Sequence, residues 1–531
     1  MTTGTPTFRR AALPWAVTTL LALMASTGSH AFEIETDNPD MKVRWDNTFK
    51  YSTAARVKDR SSVLTADANL DDGDRNFSKG IISNRLDVLS EFDVTYRNMG
   101  FRISGAGWYD SVYMGNNGNN SASTVNHTST AYNEFASGTQ DIHGSKVELL
   151  DAFVFGKTSF GDVDATMRLG RHAVLYGESL FFGGNGIAGG QQPLDIVKIA
   201  SVPNTQFKEF IRPVPQVSTL VQLTSNVAVG GYYQFGWERS RVPSSGSYFS
   251  FADPQDAGGE LISGPGFSRT HDHEPPNGGQ GGAQLRIRSD ELNTDFGLYA
   301  IRFHGKEPIN TVNPALGQYY ADFAQGIHAF GGSASTTIDN VNLAGEISMR
   351  TNQPLARGAS VIVGVGAPAS QSTYAVGKTA HAQLSWIASL GPSFVSQSAD
   401  LLGEVAWNRV LSITSNAEAI DPNASRDAWG ARIVYSPTYT QAYPGIDLSV
   451  PMGIGYTKGR SGVFGGTWGP DGGGDVSVGL SGTYLGRWKF GLNYTHYYGK
   501  AATLTDANSY FNYGQFWKDR DYVSFTVSNT F

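Results

Sequence analysis

The chain has no cysteine, so no disulfide framework staples it, whatever compartment it folds in. It also lacks long apolar runs. Beyond Ala31 no stretch approaches the roughly 20 apolar residues that a membrane-spanning helix needs. Charge is modest: 40 Lys and Arg against 47 Asp and Glu leave a formal net charge of −7 over 531 residues, which argues against a nucleic-acid partner. No G-x-S-x-G elbow stands between a strand and a helix, so that route to ester hydrolysis has no foothold. No linker-like segment divides the chain, which reads as one domain.

What is plentiful points one way. Aromatics make up 12% of the residues, with 24 Tyr, 29 Phe and 10 Trp, as expected where two membrane interfaces carry aromatic girdles. The 63 glycines suit turns and close strand packing rather than helices. At the start, Arg9 and Arg10 precede the apolar run "AALPWAVTTLLALMAST" and then "GSHA", ending at Ala31. This is a basic, then apolar, then small-x-small pattern, so residues 1–31 are expected to be a secretory signal peptide and the mature chain to begin near Phe32.

Alternation recurs along the rest. "KVRWDNTFKY" opposes Val43, Trp45, Phe49 and Tyr51 to Lys42, Arg44, Asp46 and Lys50. "RLDVLSEFDVTY" and "IDLSVPMGIGY" repeat the period of two, which marks strands with one apolar and one polar face. Short connections such as Arg97–Gly100, Ser159–Asp162, Thr224–Asn226, Asp290–Asn293 and Leu485–Trp488 alternate with long polar ones. The long ones include Ala55–Gly80, Gly115–Gly144, Ala173–Pro213 and Arg239–Gly281. Such alternation is that of periplasmic turns and external loops in outer-membrane barrels. The expected fold is all-β: a transmembrane antiparallel β-barrel of about 18 strands, with 16 as the alternative count, spanning 32–531. The terminal "DYVSFTVSNTF" places Val523, Phe525, Val527 and Phe531 on one face, as a closing stave facing lipid would. Phe531 is taken as an assembly signal read by the barrel assembly machinery, and the last strand is expected to pair near Lys42 to Tyr51.

The inward faces carry both signs of charge: Arg44, Asp46, Arg85, Asp87, Glu91, Asp93, Arg102, Arg168, Arg286, Arg288, Glu346, Glu404 and Arg432. They read as lining a water-filled lumen, either as bracing networks or as opposed walls that set up a transverse field. Ala173–Pro213 differs from the other long connections. Pro193, Asp195 and the mixed run after them suggest a short helix, and Ile196, Ile199, Phe207 and Phe210 would be wasted on external water. The segment is expected to fold inward as a constriction or plug, the alternative being a loop folded over its neighbours outside. Asp67, Asn69, Asp71, Asp72 and Asp74 form a carboxylate-rich loop without the Gly and Glu of an EF-hand, and a solvated loop is the expectation, with calcium binding left open. "HDHE" at His271 to Glu274 lacks a second ligand pair, and His496 among tyrosines reads as a girdle residue. No catalytic residue, metal site or cofactor is assigned.

The segments "NLDDGDRNF", "SNRLDVLSEFDV", "GFRISGAGWYDSVY", "RLGRHAVLYGESLFFGGNGIAGGQQPLDIVK" and "SGSYFSFADP" resemble the proteobacterial outer-membrane proteins catalogued as domain of unknown function 1302. The resemblance runs from about Phe32 to Phe531 and implies an exported barrel in a Gram-negative outer membrane. It further implies company with periplasmic lipoprotein-like and RND-type transporter proteins, and hence traffic of steroids, terpenoids or lipids. A channel for small hydrophobic molecules is the resulting expectation. A scaffold for a periplasmic lipoprotein and a barrel lipid hydrolase are the alternatives.

Overall fold

The computed structural model describes residues 32–202, 207–357, 361–362 and 374–531. The signal-peptide expectation for 1–31 therefore lies outside the described residues. Eighteen antiparallel strands close into one barrel. In chain order they are β1 (Met41–Arg56), β2 (Gly80–Tyr96), β3 (Met99–Asp110), β4 (Ser145–Phe160), β5 (Val163–His172) and β6 (Val214–Thr224). Next come β7 (Val227–Gln234), β8 (Gln280–Ser289), β9 (Thr294–Phe303), β10 (Ile327–Ile338), β11 (Val341–Pro354) and β12 (Val376–Leu390). The last six are β13 (Ser398–Ser415), β14 (Asp427–Tyr443), β15 (Ile446–Ser449 and Met452–Gly459), β16 (Gly473–Tyr484), β17 (Trp488–Tyr498) and β18 (Tyr522–Thr530). No helix among the described residues is long and apolar enough to cross a membrane.

Each strand shows two faces. On β11, Ile347 is 67% exposed while its neighbours Glu346 and Ser348 are buried. On β4, Val147 and Leu149 are exposed, and Glu148 between them turns inward to Arg241 and Lys198. Apolar side chains outside and polar ones inside are what a lipid-embedded barrel with an aqueous or filled interior requires. β15 is broken at Pro451, yet its two halves keep one register against β14 and β16. Leu448 and Ile454 therefore share the outward parity and Gly453 the inward one.

The last strand pairs with the first, as expected, with the register reaching further along it. β18 pairs with Thr48–Arg56 of β1, which overlaps Lys42–Tyr51 at Thr48–Tyr51, and Asn47 and Phe531 exchange backbone hydrogen bonds of 2.7 and 3.0 Å. The first half of β1 is met by Phe32–Ile34, which pairs with Val43–Trp45 along the same edge. β18 is nine residues long and β1 sixteen, so one partner cannot satisfy the whole edge, and unpaired backbone groups are costly in hydrocarbon. At the short-turn end, the β16–β17 connection uses left-handed backbone at Leu485 (φ 51°) and Gly486 (φ 69°), where the missing Cβ of glycine removes the strain. At the other end, a small separate sheet orders Val361–Ile362, Ile309–Asn313, Gln318–Asp322, Phe267–Arg269 and Leu261–Ile262. It joins the loops after β7, β9 and β11 into a cap.

Candidate functional site: a segment across the bore

Between His172 and Val214 the described residues, 173–202 and 207–213, leave the wall and pack against its inward face. The first half is bound to the inward face of β11–β13. Glu404 on β13 is fully buried, and its Oε1 accepts from Ser179 Oγ at 3.0 Å. Oε2 accepts from the N–H groups of Phe181 and Phe182, the latter at 2.8 Å. Glu346 on β11 accepts from the N–H groups of Glu178 (3.0 Å) and Ile187 (2.6 Å). Arg350 Nη2 donates to the carbonyls of Gly184, Asn185 and Gly186 at 2.8, 3.1 and 2.7 Å. Asn185 is held in turn by His381 (3.0 Å) and donates to the carbonyls of Ala382 and Trp407. Charged side chains thus satisfy the backbone of an irregular segment that has no ladder of its own, as buried backbone polar groups require. Glycine is needed for the approach: a Cβ on Gly177 would stand 2.1 Å from Glu346 Oε2. Ile187, fully buried, packs with Tyr176, Tyr232 and Tyr299.

The second half lies against β1–β4. Asp195 caps a short helix, Ile196–Ser201, its Oδ1 accepting from the Lys198 N–H at 2.9 Å. The lobe is closed by the Asp195 N–H to Phe210 carbonyl bond (2.7 Å) and the Arg212 N–H to Pro193 carbonyl bond (2.9 Å). Asp195 also pairs with Arg241 at 2.5 Å, and Arg241 with Glu148 of β4 at 2.5 Å. Lys198 sits 3.7 Å from Glu148 and 4.9 Å from the Trp108 ring centroid. Glu209, in the turn Phe207–Phe210, meets Lys50 of β1 at 2.9 Å. Ile199 is half exposed; the Phe207 side chain lies outside the described residues. The segment is therefore anchored on β11–β13 and on β1–β4, and between them Ile187 packs on β7 and β9 and the Gln191 carbonyl accepts from Gln234 of β7 at 2.7 Å.

The sequence-predicted charges fall into groups. Arg85 and Asp87 form a buried bidentate pair at 2.7–3.0 Å beside this lobe. Asp93 and Arg102 pair at 2.7 Å, with Glu91 4.0 Å from Arg102. Arg44–Asp46 (2.6 Å), Arg288–Asp295 (2.7 Å) and Arg432–Asp475 (3.0 Å) are further pairs. Arg168 lies over Phe153 at 5.7 Å, and Arg286 is exposed. Glu346 and Glu404 belong to the segment's anchorage. Sequence reasoning missed Arg350, His381, Arg241 and Ile187; the polar residue at every second place of "GEISMR" and "TAHAQ" was the only signal for the first two.

The acidic loop corrects the sequence reading. Asp71, Asp72 and Asp74 are each 1% exposed rather than solvated, because the loops after β3, β7 and β17 fold over them. Asp74 is neutralised by Arg56 (3.0 Å) and Arg520 (3.2 Å). In "HDHE", Asp272 and Glu274 are engaged by Arg239, each at 2.8 Å. His496 Nδ1 meets Asp521 Oδ2 at 2.6 Å, and Tyr494 Oη donates to the same oxygen at 3.0 Å.

A search of curated protein sequences returns no match. Among solved structures, Acinetobacter baumannii OccAB4 is similar over 93% of this chain and 100% of its own, at 9% identity and a TM-score of 0.43. The Acinetobacter baumannii outer membrane channel DcaP aligns over 94% and 100% at 10% identity (TM-score 0.41). Pseudomonas aeruginosa OccD3 (OpdP) aligns over 94% and 93% at 9% identity (TM-score 0.42). A family profile described as protein of unknown function (DUF1302) matches residues 12–531, nearly the whole sequence, and the chain therefore belongs to the DUF1302 family.

Proposed function

We propose that the protein is an outer-membrane channel for small hydrophobic molecules, with Ala173–Pro213 as its constriction. The observation that carries this reading is the double anchorage of that segment, to Glu346 and Glu404 on one arc and to Lys50 and Glu148 on the other. An eighteen-stranded barrel without such an obstruction is wide enough to leave an aqueous channel, which passes mainly polar solutes. Leu180, Phe181 and Ile199 on the segment remain exposed and offer apolar contacts to a solute in transit. The paired charges of the walls supply structure and local field without covalent chemistry.

The test is conductance. Replacing Gly190–Ile211 by a short Gly/Ser linker should leave a barrel with unchanged heat-modifiable mobility and raise single-channel conductance several-fold. Wild-type current should be blocked by steroids or terpenoids and the deletion protein's current should not. Unchanged conductance in correctly inserted deletion protein would place the segment outside the conducting path.

A further inference from the structure

Three carboxylates meet beneath the long loops, away from the bore. Asp71 and Asp72 follow β1, and Asp253 follows β7. Each is 1% exposed, and one oxygen of each lies within 4.8 Å of the others. The backbone brings them together: the Asp72 N–H donates to Asp253 Oδ2 at 3.0 Å, and the Asp253 N–H to the Asn69 carbonyl at 2.9 Å. Asp72 also accepts from Asn119 Nδ2 (3.2 Å) and from the Asn126 N–H (3.1 Å), both in the loop after β3.

Cations do not balance this cluster. Arg75 donates to Asp71 Oδ2. Arg56 and Arg520 are committed to Asp74, and Arg56 also to Asp519. Three carboxylates thus face one guanidinium. Asp71 Oδ1, Asp253 Oδ1 and Asn126 Oδ1 are buried without a hydrogen-bond partner. The orientation of the Asn126 amide is set by its Nδ2, which donates to Asn69 Oδ1 (2.7 Å) and the Leu261 carbonyl (3.0 Å). Buried acceptors and clustered buried anions without partners are strongly unfavourable unless a cation or protons compensate them. In the absence of a cation, burial and the adjacent carboxylates push Asp72 up to about 7 and Asp253 well above the usual carboxylate range.

We propose that Asp71, Asp72 and Asp253, with the Asn126 side-chain oxygen, bind a divalent cation of the calcium type that locks the loops after β1, β3 and β7 together. All the donors are oxygens, which suits a hard ion tolerant of irregular geometry; among the described residues no histidine joins the group, and the chain has no cysteine, to favour a transition metal. The ion supplies the two positive charges the cluster lacks and gives the idle acceptors a partner. Its position makes it a clasp on the external cap rather than part of the conducting path.

The experiment uses full-length protein refolded in detergent without lipopolysaccharide and stripped with EGTA. Terbium luminescence, sensitised by the neighbouring aromatics, should rise to saturation and be displaced by calcium, and calcium should raise the melting midpoint by several degrees. Asp253→Asn should bind terbium roughly tenfold or more weakly, since affinity follows ligand charge. In EGTA it should melt no lower than wild type, because the amide oxygen can still accept from the Asp72 N–H and the side chain carries no charge that must be buried. Asn126→Ala, which keeps all three carboxylates, should also weaken binding and serves if Asp253→Asn does not fold. Folded wild-type protein that shows neither saturable luminescence nor a calcium shift would overturn the site. So would undiminished binding by the variants.

Discussion

Phe531 stacks on Phe49 with ring centroids 5.5 Å apart and planes 7° from parallel. The stack adjoins the backbone exchange between Phe531 and Asn47, so the same residue closes the ladder and covers it. Aromatic pairs of this kind are worth about 0.5–1.5 kcal/mol beyond the area they bury, and here they sit where the barrel must find its own end.

Phe531→Asp should therefore lower the amount of protein in the outer membrane and leave a protease-sensitive periplasmic pool. Membrane fractionation and protease digestion read this directly. Wild-type membrane levels would show that the stack is dispensable for assembly.

Val478 and Ser477 are neighbours on β16 with opposite parity; Val478 is 45% exposed on the lipid side. Val478→Arg should cost roughly 2–4 kcal/mol near the midplane and Ser477→Arg much less. Denaturant unfolding in lipid vesicles measures both, and equal midpoints would contradict the assignment of faces.

Glu404→Ala removes the acceptor for Ser179, Phe181 and Phe182. Leaving buried donors unpaired costs roughly 1–3 kcal/mol each, enough to release this stretch from β13 while the barrel ladder stays intact. Single-channel records should become larger and noisier. A trace indistinguishable from wild type would mean that these bonds do not hold the constriction.

Lys306, just past the end of β9, donates to the carbonyls of Gly190 (3.0 Å) and His304 (3.3 Å), and burial lowers it from 10.5 to about 7. The fold thus prefers the neutral amine. Its contribution to stability is complete above the ordinary lysine value and is lost as pH falls through the lowered one. Between about pH 10 and pH 7 the wild-type melting midpoint should fall by more than that of Lys306→Met. Parallel curves would show that Lys306 titrates as an ordinary surface lysine.

The inward segment was partly legible. Ile196, Ile199 and Phe210 stand where an external loop would be polar, and Asp195 marks the start of a helix. Where the segment is anchored was not legible, because Glu346 and Glu404 look in sequence like any other lumen charge. The acidic run misled for the same reason: "DANLDDGDRN" has the composition of a solvated loop, and only the covering loops make it a core.

Taken by itself, the sequence determines the strand faces, the alternation of short and long connections, and hence closure into a barrel. These follow from a period of two that each strand carries locally, and from a bilayer that tolerates no unpaired edge. The tertiary structure alone decides which polar groups meet. Glu404 receives the N–H of Phe181 across 223 residues, and Asp253 that of Asp72 across 181. No local periodicity encodes such encounters; they exist because closing the barrel brings distant loops over one opening, where buried charges must find partners.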